Sequence, residues 1–262
     1  MRIRGLTYMD GLSLGMLMFI MAGGFVAAFV DSVVGGGGMI SLPVLMATGI
    51  PPHLVLGTNK LASSISSLTS TLSFVRSGRV DKQLVLRLGA YSVVGGAAGT
   101  TVLHWVPSSF LRPMMIVMLL AVTIFTLTRK QMGDERTYVG LTGKTTLCFT
   151  AAALLLGGYD GFFGPGTGSF LIFAFLLVGF DFVGAAGNAK VLNLCSGLAS
   201  LSMFAYFHTI DYRIGLAMGL AMMFGSLVGS QLAIKKGARF VRPLFLSMSA
   251  LLIAKQLWDF LQ

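Results

Sequence analysis

The chain has 262 residues, of which 55% are hydrophobic and only 11% are charged. Soluble domains carry roughly 25% charged residues, so this composition excludes an ordinary soluble enzyme and indicates an integral membrane protein surrounded by lipid. The net charge of +10 does not indicate a nucleic-acid partner, because the basic residues lie in short loops between apolar runs, where they orient a membrane protein.

Eight apolar runs are long enough, or nearly so, to cross a bilayer as helices, which requires roughly 17–25 residues. In chain order they lie near residues 12–30, 54–75, 84–103, 110–128, 144–159, 182–206, 214–234 and 243–258. Two shorter apolar segments, 39–50 and 169–180, each follow a glycine-rich stretch. The sequence therefore predicts an all-α polytopic membrane protein with roughly 8–10 transmembrane segments.

A carboxylate and a glycine run end the first apolar run, in the stretch "DSVVGGGG" at 31–38. Glycines let the backbone turn and let a ligand approach it, and free N–H groups at a helix start form a site for an anion. The next long apolar run contains an asparagine and a lysine side by side, Asn59 and Lys60. The substrate-binding candidates of this half are Gly35, Gly36, Gly37, Gly38, Asn59 and Lys60.

The second half contains a related stretch, "DGFFGPGTG" at 160–168, again followed by an apolar run with a lysine. Its substrate-binding candidates are Gly164, Gly166, Gly168, Asn188, Lys190 and Asn193. Unpaired charges at membrane depth are expensive, so Asp31 and Asp160 are predicted to carry protons or to form ion pairs. Each of these residues also has a purely structural interpretation. The charged residues would form ion pairs, such as Asp31 with Lys60, that only hold the halves together, or would reach the lipid headgroups. The asparagines would form interhelical hydrogen bonds, and the glycines would only allow close helix packing.

Rare residues of the two halves match at an offset of 130, among them Gly38 with Gly168, Lys60 with Lys190 and Asp81 with Asp211. This register predicts a tandem duplication, with a first membrane repeat at 1–130, a linker loop at 131–143 and a second membrane repeat at 144–262. Five crossings in each half would make the repeats inverted, and four would make them parallel. We expect inversion, because inverted repeats with broken helices are a common transporter plan, with the site where the breaks meet.

Other kinds of site find little support in the sequence. Cys148 and Cys195 lie in apolar segments without a CxxC motif, and the three histidines are scattered, so we expect neither a metal site nor a cofactor. The sequence contains no Walker motif, so nothing in it indicates ATP hydrolysis. Ser169 and His208 allow the alternative of a membrane-embedded hydrolase, and an anion channel would use the same residues as a transporter.

The sequence resembles the sulfite exporter TauE/SafE family of bacterial membrane permeases. The resemblance covers nearly the whole chain and depends on "AAFVDSVVGGGGMISLPVLMATGIPPHLVLGTNK" (27–60), "GGYDGFFGPGTGSFLIFAF" (157–175) and "GNAKVLNLCSG" (187–197). It implies a multi-pass protein of the bacterial inner membrane, built from two related halves, that transports small sulfur-containing anions such as sulfite or organosulfonates. We therefore expect a secondary transporter rather than an enzyme, with a small anionic substrate and a proton or another coupling ion. A homodimer is compatible with the sequence.

Overall fold

A computed structural model describes residues 13–107, 109–110, 117, 136–138, 140 and 143–237. This part of the chain consists of α-helices joined by turns and contains no strand, which confirms the all-α prediction. The helices are α1 (Leu14–Val34), α2 (Gly38–Met46), α3 (Pro52–Arg76), α4 (Lys82–His104), α5 (Gly143–Phe162), α6 (Thr167–Leu177), α7 (Phe182–Tyr206) and α8 (Tyr212–Lys236). The predicted linker at 131–143 and the apolar runs at 110–128 and 243–258 lie largely outside the described residues.

Polar side chains at the helix starts explain where two of the long helices begin. The carboxylate of Asp81 accepts a hydrogen bond from the backbone N–H of Leu84 at 3.1 Å, and Asp211 accepts from Ile214 at 3.1 Å. An aspartate in this position satisfies one of the N–H groups that a helix start leaves without a partner. These caps place the start of α4 and of α8 directly after a short turn.

The short helices α2 and α6 contain 9 and 11 residues. At a rise of 1.5 Å per residue they are only about 14 and 17 Å long, so neither can cross a bilayer alone. Helix α2 folds back along α1, since a Cβ on Gly37 would lie 2.5 Å from the carbonyl oxygen of Ala27, and one on Gly23 would lie 2.6 Å from Val44. The first glycine stretch is therefore the tip of a helical hairpin.

The outer helices carry an apolar surface. Helices α1 and α8 are long and apolar enough to cross a membrane, by length and composition. Large apolar side chains on the outside are well exposed, for example Phe19 of α1, Val94 of α4 and Phe224 of α8. Extensive exposed apolar surface of this kind marks contact with a membrane or another protein.

Glycines let the outer helices approach the others closely. A Cβ on Gly99 of α4 would lie 2.0 Å from the carbonyl oxygen of Gly158 of α5, and one on Gly229 of α8 would lie 2.6 Å from that of Phe29 of α1. Such close backbone contact is typical of helices that pack through small residues in a membrane. The two contacts use corresponding positions of the register of about 130 residues. The tandem duplication itself stays a prediction.

Helices α3 and α7 cross each other at the centre of the protein in opposite directions. Ser64 of α3 lies 3.5 Å from a Cβ placed on Gly197 of α7. Seven residues further along α3, the hydroxyl of Thr71 donates to the carbonyl of Lys190 at 3.1 Å. The contacts thus ascend α3 while they descend α7, so the two helices are antiparallel.

Candidate functional site

Two lysine–aspartate pairs connect the two halves of the chain. Lys60 of α3 lies 3.1 Å from Oδ1 of Asp160 at the end of α5, and its Nζ also donates to the Asp160 carbonyl at 2.7 Å. Lys190 of α7 pairs with Asp31 near the end of α1. Each lysine therefore binds the acid of the other half. The predicted pairing of Asp31 with Lys60 is therefore wrong, although the same two acids and two lysines form the ion pairs.

Burial differs between the two pairs. The side chains of Lys60 and Asp160 are 7% and 4% exposed. The Lys190 side chain is 1% exposed, whereas that of Asp31 is 16% exposed. Charges this deeply buried need partners, and breaking such a pair by removing one member is strongly destabilising. These lysines and acids do not reach outward to headgroups, so that alternative does not describe them in this structure.

Each carboxylate also accepts a hydrogen bond from an uncharged donor. The hydroxyl of Ser196 donates to Oδ2 of Asp160 at 2.7 Å. The backbone N–H of Gly37 donates to Oδ1 of Asp31 at 3.1 Å. The N–H of Gly37 is therefore already used by the protein and is not free for an anion in this conformation. Ser196 was not among the predicted site residues, although a serine six residues after Lys190 in an apolar run was a usable signal.

The two glycine stretches meet. A Cβ on Gly35 would lie 2.4 Å from the backbone nitrogen of Ser169, and one on Gly38 would lie 2.9 Å from Cα of Pro165. Gly168 likewise faces Gly35, with 3.0 Å between its Cβ position and the Gly35 Cα. Side chains at these positions would force the hairpin tips apart, so Gly35, Gly38 and Gly168 are required for this contact.

Three other glycines shape the breaks through their backbone conformation. Gly36, Gly164 and Gly166 have φ angles of 88°, 98° and 85°, a region that favours glycine. A Cβ on Gly164 would lie 3.2 Å from Nζ of Lys60. The second break therefore brings backbone without a side chain next to the ammonium group of Lys60, while the N–H of Gly164 itself donates to the Tyr159 carbonyl at 3.1 Å.

The three candidate asparagines have different environments. Asn188 is fully used within the protein: its Oδ1 accepts from the N–H of Asp81 at 2.9 Å, and its Nδ2 donates to the Gly184 carbonyl at 2.8 Å. Asn193 faces the second glycine stretch, with Nδ2 3.6 Å from a Cβ on Gly168. Asn59 is 93% buried, and its Oδ1 has no hydrogen-bond partner among the described residues.

Helix α3 buries several hydroxyl groups that were not among the predicted site residues. The Oγ atoms of Ser64 and Ser66 are buried and, like that of Ser41 of α2, have no hydrogen-bond partner within the described part of the chain. Buried polar atoms without partners are rare, and they mark places where water, a ligand or another conformation supplies the partner. The serine-rich run "SSISSLTSTLS" at 63–73 was the available signal, because an ordinary membrane helix is more apolar.

The serine and histidine of the hydrolase alternative do not form a dyad in this structure. The hydroxyl of Ser169 is buried and donates to the Val34 carbonyl at 3.1 Å. His208 is exposed in the turn after α7, with a φ angle of 54°. Ser169 serves the contact between the hairpin tips instead.

Comparison with known proteins identifies relatives over nearly the whole chain. The sequence profile of "Sulfite exporter TauE/SafE" matches residues 20–256. A Sinorhizobium protein, "Probable membrane transporter protein ORF9", is 36% identical over 253 residues, which cover 96% of each chain. A Haemophilus influenzae "Probable membrane transporter protein" is 34% identical, with 95% of this chain and 97% of the relative covered. "Probable membrane transporter protein YfcA" of Escherichia coli K12 is also 34% identical, with coverage of 95% and 91%. No solved structure matches this chain.

Proposed function

Because the chain belongs to the sulfite exporter TauE/SafE family and is a membrane transporter, we propose that it is a secondary transporter of a small sulfur-containing oxyanion or organosulfonate such as sulfite. The observation that carries this proposal is the pair of buried lysines, each neutralised by an acid from the other half of the chain. A buried lysine of this kind can exchange its internal carboxylate for a substrate anion, which suits an anion transporter. The protein works in the bacterial inner membrane as a multi-pass protein.

Inverted repeats, with five crossings in each half, form part of the proposal. The antiparallel crossing of α3 and α7 supports it, because these helices correspond in the register of 130 residues. The ring of His104, the last residue of α4, stacks on that of Phe207, directly after α7, with 3.8 Å between their centroids. With four crossings in each half, these two helix ends would lie on opposite sides of the membrane. With five crossings they lie on the same side, and the contact between the two rings supports this arrangement.

The substrate anion binds where a lysine meets the opposite glycine break. On one side, Lys60 lies next to Gly164, and Asn59 precedes the lysine on α3. On the other side, Lys190 lies on α7 three residues before Asn193, which faces Gly168. Each set combines a cation, an amide and bare backbone, which together suit an oxyanion.

Charge balance couples the anion to a proton. The Lys60–Asp160 pair is neutral in total, so an anion that joins it would leave one uncompensated negative charge among side chains that are almost fully buried. Uncompensated buried charge is strongly unfavourable. Protonation of Asp160 restores neutrality and frees the lysine for the substrate. The same argument applies to Lys190 and Asp31, so we expect one proton to move with each monovalent anion.

Transport by purified protein in proteoliposomes tests the function. Uptake and efflux are measured for sulfite, thiosulfate, sulfate and sulfoacetate, with and without a pH gradient. We expect saturable flux of at least one of these anions. Reversing the pH gradient should reverse the direction of this flux. Flux that increases linearly with concentration would indicate a channel, and no flux of any of the four under either gradient would overturn the proposed substrate class.

A further inference from the structure

A cavity of about 280 Å³ lies at one end of the helix bundle. Its walls come from the first turn of α3, the end of α4 and the end of α7. The lining residues are His53, Leu56, Thr100, Leu103, His104, Val106, Phe204, Phe207 and Thr209. The cavity is separate from the lysine–aspartate pairs, since none of their four residues is among the described residues that line it.

The floor of this cavity lies next to the Lys60–Asp160 pair. Leu56 precedes Lys60 by one helical turn, so the two side chains lie on the same face of α3. Thr100 lines the cavity, and its hydroxyl donates to the carbonyl of Gly161, the residue after Asp160, at 2.9 Å. The cavity wall therefore adjoins the two segments that carry the ion pair, α3 before Lys60 and the end of α5 after Asp160.

The chemistry of the lining suits an anion. Among the described lining residues there is no carboxylate, whereas the two imidazoles of His53 and His104 can donate N–H groups. Both histidines are exposed, and neither side chain has a hydrogen-bond partner among the described residues. The stack of His104 on Phe207 holds that ring at the wall and leaves the nitrogen edge of the imidazole unobstructed by its partner.

We propose that this cavity is a vestibule of the transport path, in which an anion is held by the imidazoles of His53 and His104 before it reaches Lys60. The inference depends on the proposed transport function and adds a second, outer binding site to it. In the five-crossing topology the vestibule opens to the periplasm. The anion enters past the two histidines. A small displacement of the Leu56 side chain then opens the way from the vestibule to Lys60.

Cysteine modification tests the position of the vestibule on the path. Thr209→Cys is introduced into a protein whose own cysteines are removed by Cys148→Ser and Cys195→Ser. The thiol is modified with the anionic reagent sulfonatoethyl methanethiosulfonate or with its cationic trimethylammonium analogue. His208→Cys, the exposed neighbour that does not line the cavity, is the matched control.

At Thr209→Cys we expect the anionic reagent to react faster relative to the cationic one. The ratio of the two modification rates should be at least about 3-fold higher than at the control. Modification at Thr209→Cys should stop anion flux, and modification at His208→Cys should leave it unchanged. Equal rate ratios, or full flux after modification of Thr209→Cys, would overturn the vestibule while the proposed function stands. If the wild-type protein transports no anion, both the proposed function and the vestibule are wrong.

Substitution of the histidines gives an independent measurement. His53→Gln combined with His104→Gln should raise the KM for the transported anion by roughly 10-fold at unchanged kcat, since hydrogen bonds to charged groups have about this effect. His208→Gln changes the third histidine of the chain and should leave KM unchanged. An unaltered KM in the double variant would contradict a role of the imidazoles in holding the anion.

Discussion

The Nζ atom of Lys60 lies 3.1 Å from a carboxylate oxygen of Asp160, and the two residues are 100 positions apart in the chain. The corresponding lysine of the second half, Lys190, pairs with Asp31 of the first. Each half thus supplies the counter-ion of the other. Any motion of one half relative to the other must therefore change both pairs, as a mechanism with alternating access would require.

Exchange of partners between the halves can be tested through stability. Lys60→Met leaves Asp160 buried with Ser196 as its remaining donor, so we expect a loss of about 3–5 kcal/mol in unfolding free energy. Adding Asp160→Asn should restore most of this stability, because no buried charge is then left alone. Adding Asp31→Asn instead should lower stability further, since Lys190 also loses its partner. Thermal unfolding in detergent measures all three variants.

The same variants separate a transport site from an inert ion pair. If Lys60 binds the substrate, the double variant Lys60→Met with Asp160→Asn is stable but inactive. Flux at the wild-type rate in that stable double variant would show that the pair only holds the halves together.

Contact between the hairpin tips can be tested with two glycines of nearly equal φ angle. Gly35 and Gly49 have φ angles of 75° and 76°. A Cβ on Gly35 would lie 2.4 Å from the nitrogen of Ser169, whereas one on Gly49 meets nothing within 4 Å. Gly35→Ala should therefore abolish transport, and Gly49→Ala should cost only about 1 kcal/mol of backbone strain.

Flux assays together with thermal unfolding report both effects of these glycine substitutions. Gly49→Ala controls for the positive φ angle alone, because Gly35 also has a ψ angle of 173°. Gly38→Ala tests the contact at a position without a positive φ angle, since its Cβ would lie 2.9 Å from Cα of Pro165. Equal activity of Gly35→Ala, Gly38→Ala and Gly49→Ala would contradict a functional contact between the tips.

The asparagines should divide into a structural residue and a binding residue. Asn188→Ala removes the acceptor for the N–H of Asp81, which should lower the unfolding free energy by about 1–3 kcal/mol and leave the substrate KM unchanged. Asn193→Ala should do the reverse, with KM raised roughly 10-fold at nearly unchanged melting temperature. A KM effect at Asn188 without a loss of stability would contradict this division.

Membrane topology can be tested at two turns that correspond in the two halves. Ser77→Cys lies in the turn between α3 and α4, and His208→Cys lies in the turn between α7 and α8. With inverted repeats, an impermeant thiol reagent should modify the second cysteine in intact cells and the first only after permeabilisation. Modification of both from the outside would favour parallel repeats.

The helical structure and its breaks could be predicted from local patterns. Apolar runs of membrane length predicted α1, α3, α4, α5, α7 and α8, and the glycine stretches predicted the short helices α2 and α6, whose starts lie one or two residues before the predicted segments. These features depend on neighbouring residues, so they can be read along the chain. The match to the TauE/SafE profile over residues 20–256 confirms the family that the glycine and lysine motifs indicated.

Which acid neutralises which lysine was decided only by the tertiary structure. In the sequence, Asp31 is nearer to Lys60 than to Lys190, and both pairings bury the same charges with the same chemistry. The antiparallel crossing of α3 and α7 decides between them, because it brings the end of α5 to Lys60 and the end of α1 to Lys190. Asn59, Ser64 and Ser66 have oxygens without a partner among the described residues, and these likewise became visible only once the neighbouring helices were in place, since a polar atom lacks a partner only relative to what packs around it.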